Sequence, residues 1–179
     1  MTRSLTITFL VICATLAACD RKKEGAVEKK DSAVQQDTFV KRTSHLGNSF
    51  VVPSLFTTTD KGDTFSLKSP DGQAIIHAII FTAEGSGTFE EFQAMLASDL
   101  VPEKTWKPSQ WTPFKLGDGH DAQKRDFVPV GESDQQWRLY AVDGDKFYHA
   151  ILLNASSPMM TLQGGFYDNI IRSFEGVRE

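Results

Sequence analysis

The chain has 179 residues, of which 40% are hydrophobic and 23% are charged, and its formal net charge is −4 at pH 7. This mild acidity argues against nucleic-acid binding, which usually needs a basic face. The only two cysteines are Cys13 and Cys19. Residues beyond Cys19 therefore offer no thiol for a disulfide, a cysteine-ligated metal site or thiol catalysis.

The N-terminal segment, residues 1–18, has the parts of a signal peptide. A short basic n-region ends at Arg3, an uncharged apolar h-region follows, and small residues precede Cys19. The apolar run is shorter than the roughly 20 residues that span a bilayer. Its end, Leu16-Ala17-Ala18-Cys19, resembles the lipobox of bacterial lipoproteins. The alternative is an ordinary secretory signal in which Cys19 occurs by chance.

The lipobox resemblance implies cleavage between Ala18 and Cys19, a diacylglyceryl group on the Cys19 sulfur, and frequent acylation of the new amine by a fatty acid such as palmitate. Two or three acyl chains hold a protein on a membrane almost permanently, because each buried methylene contributes about 0.8 kcal/mol. Asp20 resembles the signal that keeps enteric lipoproteins on the inner membrane. The expected location is thus the periplasmic face of the inner membrane, with the outer membrane as the alternative.

Residues 19–38 comprise the lipidated cysteine and a polar tether. The tether is too poor in apolar side chains to offset the entropy of ordering, so we expect it to be disordered. Its basic cluster, Arg21 to Lys23, either touches anionic lipid head groups or belongs to a solvated spacer.

Residues 39–179 have the composition of one folded domain. Apolar patterning predicts a strand over residues 48–52 and a hairpin of residues 65–68 and 73–81 around Asp71-Gly72. Thr88 and Glu91 form a predicted capping box for a helix that ends at Pro102. A meander of three strands is predicted over residues 120–130, 135–142 and 146–154. A final helix is predicted to begin with Ser157 as its cap and Pro158 at its first position.

This order of a hairpin, a helix, a meander and a C-terminal helix resembles the PsbP-like superfamily, and among its members the DcrB-type bacterial lipoproteins. The resemblance implies an α+β fold, with a single antiparallel sheet of about six strands and helices packed on its faces as an α/β/α sandwich. It also implies an accessory or interaction role in place of an enzymatic one.

Catalytic and metal-binding patterns are absent from the sequence. No nucleophile elbow, phosphate-binding glycine loop or metal-ligand spacing occurs, so we expect no enzyme activity, no cofactor and no metal. If His77 and His149 lie on neighbouring strands, they could form a weak metal or proton site. The Gly117–Asp121 cluster and the Asp60–Asp63 segment are both predicted to be solvated turns.

Residues 106–114 are unusually aromatic for a connection between a helix and a strand. Trp106, Trp111 and Phe114 are therefore candidates for a protein-recognition surface, and the alternative is that the loop folds back and caps the core. The sequence predicts a non-enzymatic envelope lipoprotein that binds another envelope protein. The alternative function is a carrier of a small ligand or a metal, which a deep apolar pocket beside Trp106 and Trp111 would favour.

Overall fold

The strands of the domain form one large antiparallel sheet and one small ribbon. In a computed structural model of the chain, the described residues are 38–99, 106–131, 133–144 and 146–177. The predicted signal peptide, the tether up to residue 37 and Pro102 lie outside these ranges. The predictions for Ala18, Cys19 and Asp20 therefore stay predictions.

The elements follow one another closely along the chain. In order they are β1 (Phe39–Thr43), β2 (Ser49–Pro53), β3 (Thr57–Lys61), β4 (Thr64–Lys68), β5 (Ala74–Thr82), α1 (Ala83–Ser86), α2 (Phe89–Asp99), β6 (Trp106–Pro108), β7 (Thr112–Lys115), β8 (Asp121–Pro129), β9 (Gln135–Val142), β10 (Phe147–Ser156) and α3 (Ser157–Arg172).

The large sheet has eight strands in the order β3-β4-β5-β10-β9-β8, with β6 and β7 both paired to β8 at the far edge. All of its pairings are antiparallel, and β1 and β2 form a separate two-stranded ribbon. The long β5 and β10 lie at the centre and pair from Ala74 opposite Ala155 to Thr82 opposite Phe147.

The prediction of about six strands in one sheet is too low, although the α+β class and the antiparallel arrangement are confirmed. Five of the predicted strands lie in the large sheet, whereas the predicted strand at residues 48–52 belongs to the ribbon. The missed sheet strands are β3, β6 and β7. They are short and mostly exposed, so they carry little of the apolar alternation that reveals a strand.

The predicted β4–β5 hairpin is confirmed. Gly72 has a φ of 71°, a left-handed conformation that glycine adopts at little cost, and its N–H donates to the Ser69 carbonyl at 2.9 Å. The carboxylate of Asp71 accepts hydrogen bonds from the Ser69 hydroxyl and from the N–H of Gln73. These local bonds explain why Asp-Gly sets the position of the turn.

The capping box before α2 is also confirmed. The N–H of Glu91 donates to the Thr88 hydroxyl at 3.2 Å, and the N–H of Thr88 donates to the Glu91 carboxylate at 2.8 Å. The predicted cap of α3 is wrong by one residue, because Ser156 is the N-cap and Ser157 is the first helical residue. Strand β10 runs directly into α3, which leaves no loop for a separate cap.

Two apolar clusters lie on opposite faces of the large sheet. The cluster on one face includes Phe50 of the ribbon and Tyr167 of α3. The cluster on the other face includes Phe92 and Leu96 of α2 together with Phe127 of β8. We call these the α3 face and the α2 face. Because side chains alternate along a strand, each position of β8, β9 and β10 is assigned to one of the two faces.

Candidate functional sites

All three tryptophans lie on the α2 face, at the β8 edge of the sheet. Trp106 of β6 is opposite Pro129, and Trp137 of β9 is opposite Phe127. Trp111 lies between β6 and β7, and the three indole rings pack against the apolar cluster of the α2 face. Each tryptophan is only partly buried, so part of its surface faces outward.

Arg125 of β8 lies among these rings. Its guanidinium is 5.6 Å from the centre of the Trp111 ring and 5.7 Å from that of Phe127, and its Nε donates to the Ser109 carbonyl at 2.6 Å. Stacking and hydrogen bonding thus hold the side chain in one orientation. We call Trp106, Trp111, Arg125 and Trp137 the tryptophan surface.

Phe114 does not belong to this surface. It is only 5% exposed and lies opposite Ala122 on the α3 face, where its ring is 4.9 Å from that of Tyr140. The predicted trio is therefore split across the sheet: Phe114 is a core residue, and Trp106 and Trp111 remain candidates for binding. Trp137 was missed because its position relative to Trp106 depends on the pairing of β8 with both β6 and β9.

A groove of about 340 Å³ lies beside Trp106 and is lined by Ala97, Trp106, Pro108, Arg125 and Phe127. Trp111 is not part of its lining, and the Arg125 guanidinium gives the groove a charged wall. This groove is therefore not the deep apolar pocket beside both Trp106 and Trp111 that would favour a carrier.

A second site surrounds His149 of β10, which is 2% exposed. Neither ring nitrogen has a hydrogen-bond partner among the described residues. The ring is 5.3 Å from that of Phe174 in an edge-to-face arrangement. On another side it contacts the backbone of Gly176, where a Cβ would come within 2.7 Å of the His149 Cε1. A side chain larger than hydrogen at position 176 would therefore displace the imidazole.

A cavity of about 70 Å³ adjoins the His149 ring. Asp118, His120 and Asp143 contribute polar groups to its lining, and the His120 Nδ1 is 3.0 Å from the Asp118 carboxylate. Burial lowers the pKa of His149 to about 4, so its imidazole is neutral at pH 7 and retains one lone-pair acceptor. Asp118 and His120 belong to the predicted Gly117–Asp121 turn, which is confirmed as a turn.

The hypothesis that His77 and His149 form one site is wrong. They lie on neighbouring strands, but His77 is opposite Leu152 whereas His149 is opposite Ile80. An offset of three residues places the two side chains on opposite faces of the sheet. His77 instead shares a hydrogen bond of 2.7 Å with the Ser66 hydroxyl, and burial lowers its pKa.

Gly62 and Asp63 form the exposed turn that the sequence predicts for residues 60–63, whereas Asp60 precedes it. It lies in β3, and its carboxylate accepts hydrogen bonds from the N–H and the Nδ1 of His45. Although desolvation opposes the shift, these contacts with His45 lower the pKa of Asp60. The pair ties the β1–β2 turn to the edge strand of the sheet.

A cluster of charged groups lies between α3 and the sheet, around Asp168. Its carboxylate accepts hydrogen bonds from the Tyr140 hydroxyl and Arg138 Nη1, both at 2.6 Å, and from Lys124 Nζ at 3.1 Å. Arg138 also donates from Nε to Asp126. Burial would raise the pKa of Asp168, but the Tyr140 hydrogen bond and the two cations lower it overall. Because each polar group in this cluster has a partner, its chemistry fits the attachment of α3 to the sheet.

Among the residues that the structure describes, no group of three or more His, Cys, Asp or Glu side chains could hold a metal ion. Within the same ranges, no helix is long and apolar enough to cross a membrane.

The architecture matches solved structures of low sequence identity. Cyanobacterial PsbP (CyanoP) from Synechocystis sp. PCC 6803 matches with a TM-score of 0.58 at 12% identity, over 81% of this chain and 96% of that protein. The domain has the PsbP fold. The Ran-binding protein Mog1p from Saccharomyces cerevisiae matches this PsbP-like domain with a TM-score of 0.54 at 11% identity, over 79% of this chain and 96% of Mog1p.

Comparison of the chain with protein-family models gave no match, and neither did comparison with curated protein sequences. Because one fold hosts many unrelated functions, the function of the PsbP-like domain has to be argued from its own sites.

Proposed function

We propose that the chain is a non-enzymatic cell-envelope lipoprotein of the DcrB type, anchored through Cys19, whose PsbP-like domain binds another envelope protein. The observation that carries this proposal is the tryptophan surface. Tryptophan and arginine are the residue types most enriched among the energetically dominant residues of protein interfaces. Here three tryptophans and one arginine share one face of the sheet and are each partly exposed.

The geometry of Arg125 strengthens the argument. A long cationic side chain normally loses rotamer freedom on binding, at a cost of about 0.5–1.5 kcal/mol. Contacts with Trp111 and Ser109 already restrict Arg125 in the free domain. A partner that presents an apolar side chain beside a carboxylate would therefore meet a preorganised surface.

The anchor is supported by the sequence pattern at Leu16 to Cys19 and by the polar residues that separate it from β1. Lipidation at Cys19 and cleavage after Ala18 would hold the domain on the outer side of the cytoplasmic membrane. The aspartate at position 20 favours retention on the inner membrane. PsbP and Mog1p support an accessory role by analogy only, since Mog1p is a Ran-binding protein.

The anchor is tested by comparing the natural chain with Cys19→Ser in cells labelled with a palmitate analogue. We expect the label on the natural chain only, and we expect Cys19→Ser to leave the membrane fraction after a carbonate wash or to remain unprocessed. Label on Cys19→Ser, or its continued sedimentation with membranes as a processed protein, would contradict the anchor.

The surface is tested with a photo-crosslinking residue at Gln110, which is exposed next to Trp111, and at Thr58 on the exposed β3 as a matched control. We expect one discrete cross-linked partner from position 110 and none from position 58. The same cross-link should weaken at least about tenfold in Arg125→Gln, because this change removes the charge that lies against Trp111. Equal cross-linking from both positions would refute the tryptophan surface as the binding site.

A further inference from the structure

We propose that a groove on the α3 face binds a small uncharged phenol, with the ring of the ligand among apolar side chains and its hydroxyl at Tyr167. The groove lies where the end of the ribbon, the β4–β5 turn and α3 meet. It is separate from the tryptophan surface on the other face of the sheet, so the proposal does not depend on the anchor or on the protein interface.

The hydroxyl of Tyr167 is the observation that points to a ligand. The side chain belongs to the core of the α3 face and is only 1% exposed. Its hydroxyl has no hydrogen-bond partner among the described residues, yet it is not one of the unpartnered polar atoms that the domain encloses completely. Since Tyr167 lines the groove, the hydroxyl keeps access to it. A buried tyrosine usually finds a partner for its O–H, and a ligand with a hydroxyl would supply one.

The size and the walls of the groove fit one aromatic ring. Its volume is about 200 Å³, and a cavity of about 150 Å³ is enough for benzene. Phe56 and Phe166 contribute aromatic walls, and Met159 contributes a flexible thioether that makes favourable contacts with rings. The other apolar residues of the lining are Pro53, Leu55 and Pro70.

The remaining polar groups of the lining are engaged in the turn or exposed. The Ser69 hydroxyl donates to the Asp71 carboxylate at 2.5 Å and accepts from the N–H of Ala74 at 3.0 Å. Gln163 is exposed to solvent. The Tyr167 hydroxyl is therefore the buried group that is left to orient a ligand in the groove.

The charges around the groove favour a neutral ligand over an anion. Burial raises the pKa of Tyr167 and the nearby Asp71 carboxylate raises it further, so the hydroxyl keeps its proton at pH 7. Among the described residues of the lining none is lysine or arginine, and Lys68 approaches the same turn only near Gly72. A phenol suits these conditions, because its O–H both donates and accepts and brings no negative charge beside Asp71.

The proposal is tested by titrating the purified full-length protein with p-cresol while following the methionine methyl resonances by NMR. Met159 lines the groove, whereas Met95 packs on the α2 face and serves as the internal control. We expect a saturable shift of Met159, with a Kd in the millimolar range or below that a ligand of one ring permits, and no saturable shift of Met95. The anion p-toluate should give no saturable shift of Met159. No saturable shift with p-cresol would show that the groove holds only water, and an equal Kd for p-toluate would likewise overturn the proposal.

The role of the hydroxyl is tested with Tyr167→Phe, which removes a group that makes no hydrogen bond within the described domain. Toluene is the matched ligand, because it has the same ring without the hydroxyl. We expect the variant to raise the Kd for p-cresol at least about fivefold and to leave the Kd for toluene unchanged. The same change for both ligands would refute the hydrogen bond to Tyr167.

The position of the ligand is tested with two exposed leucines. Leu55→Ala removes part of the groove wall and should raise the Kd for p-cresol at least about threefold. Leu162→Ala is the matched control, because Leu162 lies on α3 outside the lining and is 80% exposed. An equal Kd in the two leucine variants would overturn the site.

Discussion

His149 should make a large contribution to the destabilisation of the domain by acid. The imidazole is buried in the folded state and has a pKa of about 4, whereas an exposed histidine has a pKa of about 6.5. Below about pH 6.5 the unfolded chain binds a proton that the folded chain does not accept. Because the unfolded state then binds more protons, the free energy of unfolding decreases as the pH falls, until the folded pKa is reached.

The magnitude follows from the two pKa values. Between about pH 7.5 and about pH 5.0, His149 alone should lower the free energy of unfolding by about 2 kcal/mol, and by about 3 kcal/mol once the pH is well below 4. His149→Phe removes this titration and keeps an aromatic ring of similar shape. Any packing cost of the larger ring against Gly176 is the same at every pH, so it does not affect a comparison of pH dependence.

Urea denaturation of the natural chain and of His149→Phe at several pH values measures this effect. His77, whose pKa burial also lowers, is present in both proteins and cancels in the comparison. We expect the stability of the natural chain to fall about 2 kcal/mol further than that of the variant between about pH 7.5 and about pH 5.0. The same pH dependence in both proteins would refute the argument that His149 is buried in its neutral form.

Three further substitutions test the packing of the helices. Asp168→Asn should lower the free energy of unfolding by about 2 kcal/mol at pH 7, because Lys124 and Arg138 lose a partly buried carboxylate that accepts their hydrogen bonds. The pKa of Asp168 is lowered in the folded state, so the stability difference between the natural chain and Asp168→Asn should persist above about pH 4 and shrink as the pH falls through that pKa. A stability difference that stays the same in acid would contradict the ion pairs. Tyr140→Phe should cost about 2 kcal/mol in urea denaturation, since its hydroxyl donates to Asp168, and a neutral effect would show that this bond is not formed. Thr88→Ala should lower the thermal midpoint through a loss of about 1 kcal/mol at the capping box, and a midpoint equal to that of the natural chain would exclude the cap.

Local sequence patterns were sufficient to predict a structure where residues close together in the chain form hydrogen bonds with each other. The Asp71-Gly72 turn and the Thr88 capping box depend on hydrogen bonds within five residues of the chain, so their positions were predicted. The long meander strands were predicted as well, because each buries enough apolar side chains to show its pattern.

The strand β3 illustrates what local pattern does not contain. All five of its residues are exposed, so its pairing with β4 comes from backbone hydrogen bonds that no side-chain alternation reveals. The same applies to β6, whose three residues pair with β8 about twenty positions further along the chain.

The candidate sites depend even more on tertiary structure. The aromatic content of residues 106–114 identified Trp106 and Trp111. Only the pairing of β6, β7 and β9 with β8 places Phe114 on the other face and Trp137 on the same face as Trp106. His149 carries no local signal, because its burial results from the return of the chain after α3 to place Phe174 and Gly176 against it. The sequence by itself determined the Asp71-Gly72 turn, the capping box of α2, the main strands and the lipobox-like pattern. The tertiary structure decided which side chains share a face. The reason is that strand register, and the packing of the segment after α3 against the sheet, depend on contacts between residues far apart in the chain.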